Sequence, residues 1–120
     1  MLKKRYRDYA TEAFRDWARY GCPDVESIGR KHSTLSKGQR DDLKACARCM
    51  RKLKEDGRGE ICEAVNDVYM VRAGDKLPRG ELSARVVKFS MSHYVAERQV
   101  YEWLAEACRE FAELRGLCVE

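Results

Sequence analysis

Near the start of the chain, Tyr6, Tyr9, Ala10, Ala13, Phe14, Trp17 and Tyr20 recur at three- and four-residue steps, and Gly21 follows as a stop. That spacing gathers the rings along one face of an α-helix. A face so apolar is stable only when another element covers it. The chain must therefore pack its helices together, with this stripe in a core or a dimer seam. A base-stacking platform is the secondary reading of the same rings.

Proline occurs only at Pro23 and Pro78, where a helix opens or a loop closes. Pro23 is expected to open a short helix, with Asp24 and Glu26 in its first turn, that fades near Gly29. Residues 31–35 read as loop. Ser36 and Gln39 form a capping-box pattern ahead of a helix of about 17 residues. That helix turns Leu43, Cys46, Ala47, Met50 and Leu53 inward and ends at Gly57. Its other face carries Lys44, Arg48, Arg51 and Lys52, a solvated surface on the first reading and a phosphate track on the second. Residues 60–71 predict a fourth helix with Ile61, Cys62, Val65, Val68 and Tyr69 on its apolar side, and their β-branched content keeps a strand as an alternative. No internal repeat and no strictly alternating run is present, so the expected class is all-α.

Composition sets the outer limits. A chain of 120 residues, 44% hydrophobic and 37% charged, suits one compact domain or two small helical units sharing a core. No apolar run approaches the roughly 20 residues that span a bilayer. The opening MLKKRYRDYA has charge without an apolar stretch behind it, so a cytoplasmic protein with no membrane partner is expected. The net charge of +4 is unevenly spread: residues 1–60 hold 16 Lys and Arg against 10 Asp and Glu, and residues 61–120 hold 8 against 10. Any broad field that attracts phosphates comes from the first half.

Six cysteines, Cys22, Cys46, Cys49, Cys62, Cys108 and Cys118, read as reduced thiols in such a compartment. Cys46 and Cys49 form a C-x-x-C, half of a zinc site or a redox pair. No second C-x-x-C or H-x-x-x-H completes it, and His32 and His93 stand far apart. Small apolar core packing is the favoured reading; no metal and no cofactor is assigned.

The segment RAGDKLPRG, residues 72–80, reads as a linker between an N-terminal helical region, 1–75, and a second unit, 76–120. That unit reads as a helix, a tight turn and a longer helix. Leu82, Val86 and Phe89 would be buried in the first helix, His93 and Tyr94 would form the turn, and Val95 would plug the corner. The second helix, 96–114, would bury Val100, Leu104 and Ala107 with Trp103 beside them. The whole is a small helical bundle with a C-terminal helix-turn-helix unit. Such a unit reads DNA because its second helix fits the major groove. Here Glu97, Arg98, Gln99 and Glu102 would meet the bases, while Arg79, Arg85 and Lys88 would anchor the backbone, with Arg98 the foremost contact. At the far end, Phe111, Leu114 and Leu117 would pack on the first helix, within one chain or across a homodimer.

Residues 89 to 103, FSMSHYVAERQVYEW, resemble the helix-turn-helix of sigma-factor region-4-like regulators, in particular the ArpU and RinA type of phage and prophage transcription regulators. Phe89 and Ser90 match the opening pair of that pattern, Val95 its corner, and Glu97, Arg98, Val100, Tyr101 and Trp103 its recognition helix. Ala96 stands where Ser is the usual cap, Gln99 replaces Thr, Glu102 stands where Arg or Lys is common, and His93 takes an apolar turn position. The resemblance implies an all-helical architecture and a role in activating phage late genes.

The function expected is thus a DNA-binding transcription regulator of phage or prophage type, with duplex DNA as partner and RNA polymerase or another phage protein as a second. The alternative is a non-enzymatic helical adaptor whose acidic final helix, through Glu102, Glu106, Glu110 and Glu113, meets a basic partner. No P-loop, G-x-G-x-x-G, G-x-S-x-G or H-E-x-x-H is present, and no enzyme is expected.

Overall fold

The computed structural model describes residues 3–32 and 34–117, and among them every regular element is helical. Six α-helices follow one another: α1 Lys4–Arg19, α2 Val25–Lys31, α3 Lys37–Glu55, α4 Gly59–Val65, α5 Glu81–His93 and α6 Glu97–Arg115. A π-helical turn, Asn66–Met70, prolongs α4. The fourth segment is therefore helical, with its hydrogen bonding loosened in its second half.

Helix starts follow the capping chemistry. Ser36 accepts from the Gln39 N–H at 3.1 Å and Gln39 answers to the Ser36 N–H at 3.0 Å, the reciprocal box read from the sequence. The second helix begins two residues later than Pro23 suggested, because Asp24 caps it by accepting from the Ser27 N–H at 2.8 Å. That bond also holds the Asp24 carboxyl below the usual carboxylate range. The second helix then runs through Gly29 to Lys31. Pro23 instead offers its carbonyl to the Trp17 indole N–H at 2.8 Å.

The face of α1 divides more sharply than its aromatic spacing implied. Ala10, Ala13, Phe14 and Trp17 are buried, whereas Tyr9 and Tyr20 lie at the rim, 39% and 43% exposed. Phe14 and Phe111 pack with ring centres 5.7 Å apart, and Tyr9 stands 6.1 Å from the same Phe111. The end of α6 thus finds its cover on α1 within one chain. Leu117 packs partly against this core, but Leu114, expected beside it, is 37% exposed.

One contiguous core runs from Ala10 through Leu43, Val65 and Val86 to Ala112, and α6 packs against α1, α3, α4 and α5. The regions 1–75 and 76–120 share it. Arg15 shows how firmly the intervening segment is tied down. Only 3% exposed, its guanidinium donates to the carbonyls of Tyr69 at 2.9 Å and Asp75 at 2.7 Å, and at longer range to Ala73 at 3.3 Å. Burial lowers the Arg15 pKa, yet a guanidinium stays protonated in proteins. This one side chain thus serves the Tyr69 carbonyl at the end of the π turn and the Ala73 and Asp75 carbonyls beyond it.

Candidate nucleic-acid interface

The segment read as helix, turn and helix folds as α5, a three-residue connection and α6. Val86 and Phe89 are buried on α5, and Val100, Leu104 and Ala107 on α6. Leu82, Val95 and Trp103 pack partly against them, and Trp103 meets Phe89 edge-on at 6.5 Å. The Ser90 hydroxyl donates to the Val95 carbonyl, while the Val95 N–H returns to the Ser90 carbonyl at 3.1 Å. Ser90 therefore fixes the corner from both sides. His93 ends α5, stacks on Phe89 at 3.8 Å and brings Nε2 to 3.4 Å from Glu63.

Beyond the corner, α6 begins without a side-chain cap, because Ala96 offers none. The N–H groups of Glu97 and Arg98 open the helix there, and the helix dipole makes such an end attractive to anions. Glu97, Arg98, Tyr101 and Glu102 are exposed, and Gln99 is half-buried. The Arg98 side chain is 90% exposed and pairs with Glu102 at 3.3 Å, its one ion pair among the described residues.

The backbone-anchoring residues fare differently. Arg79 lies exposed on the loop before α5, and Lys88 is exposed on α5. Arg85 is committed to the fold: its side chain is 11% exposed, pairs with Glu81 at 2.9 Å and donates to the Val68 and Val71 carbonyls at 3.0 and 2.9 Å. It closes the carbonyl end of the π turn rather than facing solvent as a free cation.

The acidic edge of α6 is also largely engaged. Glu106 receives both guanidinium nitrogens of Arg58, at 2.9 and 3.1 Å, and Glu110 receives Lys52 at 2.9 Å. These carboxylates hold α6 against the α3 and α4 region. On the basic face of α3, Arg51 pairs with Glu55 as well, which leaves Lys44 and Arg48 without an ion pair among the described residues.

Tyr94 is the residue that sequence reasoning undervalued. It follows α5 at φ 55 and ψ 42, and its side chain is 95% exposed. In the same left-handed position after α1, α3 and α6 the chain uses Gly21, Gly57 and Gly116. A tyrosine there is strained, and its ring stands exposed at the tip between α5 and α6. The readable signal was the broken pattern of glycine stops.

Four of the thiols, Cys46, Cys49, Cys62 and Cys108, are packed in the core. Cys46, Cys49 and Cys108 are fully buried; burial raises the Cys46 and Cys49 thiols well above their usual range and pushes Cys108 up to about 11. Cys49 and Cys62 donate weakly to the Ala107 and Met50 carbonyls, each at 3.6 Å, and Cys22 is exposed. Cys118 lies outside the described residues. Among the described residues no three His, Cys, Asp or Glu side chains gather into a metal-binding group, and no helix is long and apolar enough to cross a membrane. Comparison with protein-family models, with curated proteins and with solved structures returns no match.

Proposed function

We propose that this chain is a cytoplasmic, DNA-binding transcription regulator of phage or prophage type, gripping duplex DNA through α5, the Tyr94 corner and the start of α6. The observation behind this reading is the free end of α6: Glu97, Arg98, Tyr101 and Glu102 stand exposed in its first turns, while Val100 and Leu104 root the same helix in the core. A helix held so presents a rigid edge narrow enough for the major groove. Arg98 reaches a guanine edge or a phosphate, half-buried Gln99 supports an adenine contact, and Glu97 and Glu102 accept from cytosine amino groups. The opening N–H groups of α6 take a phosphate, and Lys88 and Arg79 anchor the backbone on the α5 side. Two copies on a palindrome would set two such ends one helical turn apart. Contact with RNA polymerase or another phage protein would then convert binding into regulation.

The adaptor reading is less well supported, because Glu106 and Glu110 already have cationic partners elsewhere in the chain, Arg58 and Lys52. Fluorescence anisotropy with duplex DNA from the gene's own neighbourhood tests the proposal. Affinity should fall steeply between about 50 and about 200 mM salt, and Arg98→Ala should weaken it further. Absence of binding at the low-salt end would overturn the reading.

A further inference from the structure

Between the π turn and α5 lies a cleft of about 670 Å³, within the range of small-ligand sites. Two backbone irregularities border it. One is the π turn itself, Asn66–Met70; such turns recur at functional sites. The other is Arg72, held at φ 55, where a residue with a Cβ is strained.

The charges of the cleft are unequally engaged. Glu81 is taken up by Arg85 at 2.9 Å, and Asp67 accepts from the Asn66 amide at 3.1 Å. Among the described residues the Arg72 side chain pairs only with Asp75, at 3.9 Å, beyond hydrogen-bonding distance. Lys88 makes no ion pair among the described residues, and the exposed Ser92 adds a hydroxyl on the same side of α5. The cleft therefore offers two loosely held cations and a neutral donor, contributed by two separate elements, beside an Asp67 carboxylate whose hydrogen bond to a neutral amide leaves its charge in place.

We propose that this cleft binds a phosphoryl group, with Lys88 as a point charge, Arg72 as a forked donor and Ser92 as a third contact. A tetrahedral anion accepts from several directions at once, which suits donors contributed by separate elements along one cleft better than a planar carboxylate does. The phosphoryl group belongs either to the DNA backbone, in which case the inference rests on the DNA reading above and extends the contact to residue 72, or to a free phosphate species, in which case the cleft is an effector site beside α5.

Amide NMR of the full chain titrated with inorganic phosphate, against chloride at equal ionic strength, tests one source. Salt-dependent affinity for duplex DNA tests the other. Lys88→Gln and Arg72→Gly serve both arms, since Lys88 is exposed and glycine relieves the strained φ, so each variant should keep or raise the melting temperature. A free-phosphate site predicts saturable shifts around Arg72, Lys88 and Ser92 that weaken roughly tenfold in Lys88→Gln. A DNA-phosphate site predicts no saturation, but a salt slope lower by about one in each variant. If phosphate does not saturate while Lys88→Gln lowers the slope and Arg72→Gly leaves it unchanged, this inference falls and the DNA reading stands; an unchanged slope in both variants removes the Lys88 anchor of that reading as well. If neither phosphate nor DNA binds the wild-type chain, both fall.

Discussion

Replacing Tyr94 with Gly should stabilise the fold and weaken DNA binding together. At φ 55 the Tyr94 Cβ costs roughly 1 to 2 kcal/mol, which glycine removes. The added freedom of the unfolded chain offsets roughly 0.4 to 1 kcal/mol of that gain. The ring itself contributes little, because at 95% exposure only about 10 Å² of it is covered, worth roughly 0.3 kcal/mol. The net expectation is about 0.5 kcal/mol of added stability, or about 2 to 4 °C in Tm. Affinity for duplex DNA should fall about fivefold, the loss of one modest contact of roughly 1 kcal/mol. Thermal unfolding followed by circular dichroism and anisotropy on the same samples read the two effects. A Tm lowered by several degrees would show that Tyr94 holds the corner together; unchanged affinity would show that its exposure has nothing to do with DNA.

Arg15→Met should cost about 3 to 5 kcal/mol in urea unfolding, because it leaves the carbonyls of Tyr69, Ala73 and Asp75 without their donor; a loss under about 1 kcal/mol would refute the strut role assigned to Arg15. Phe111→Ala, which empties the contact between α6 and α1, should cost roughly 3 to 5 kcal/mol, and a small cost would mean the two helices are held by something else. In the native protein a maleimide should modify Cys22 and spare Cys46, Cys49 and Cys108 until denaturant is added; rapid labelling of Cys49 would contradict its burial. The same burial predicts alkaline sensitivity. The folded chain keeps the Cys108 proton above the ordinary thiol value of 9.0, so its stabilising effect is complete below that pH and is lost as pH rises toward about 11. Urea midpoints that stay flat between about pH 8 and about pH 10 would oppose this.

Legibility varied with the kind of interaction. Periodicity located the buried sides of α3, α5 and α6, since Leu43, Val86 and Leu104 obey a local 3.6-residue rhythm. The Ser36–Gln39 box was legible for the same reason, as both partners lie within one turn. Arg15 and Arg85 were not. Each serves carbonyls far away in sequence, Tyr69 and Asp75 for Arg15, Val68 and Val71 for Arg85, and a charged side chain announces nothing of that in its own neighbourhood. The π turn was hidden likewise, because residues 60–71 carry an ordinary helical pattern. The acidic edge of α6 looked like a free surface until Arg58 and Lys52 closed on it from α3 and its C-terminal turn. At the α6 end the exposed set Glu97, Arg98 and Glu102 was readable as a helix face, whereas Tyr94 emerged only from its backbone angle.

The most direct test of the DNA-binding face is amide chemical-shift mapping of the full chain as duplex DNA is added. The account predicts shifts concentrated from Tyr94 to Glu102, with Arg79 and Lys88 responding and the core amides of α1 silent. Shifts confined to the basic face of α3, or none at low salt, would contradict it.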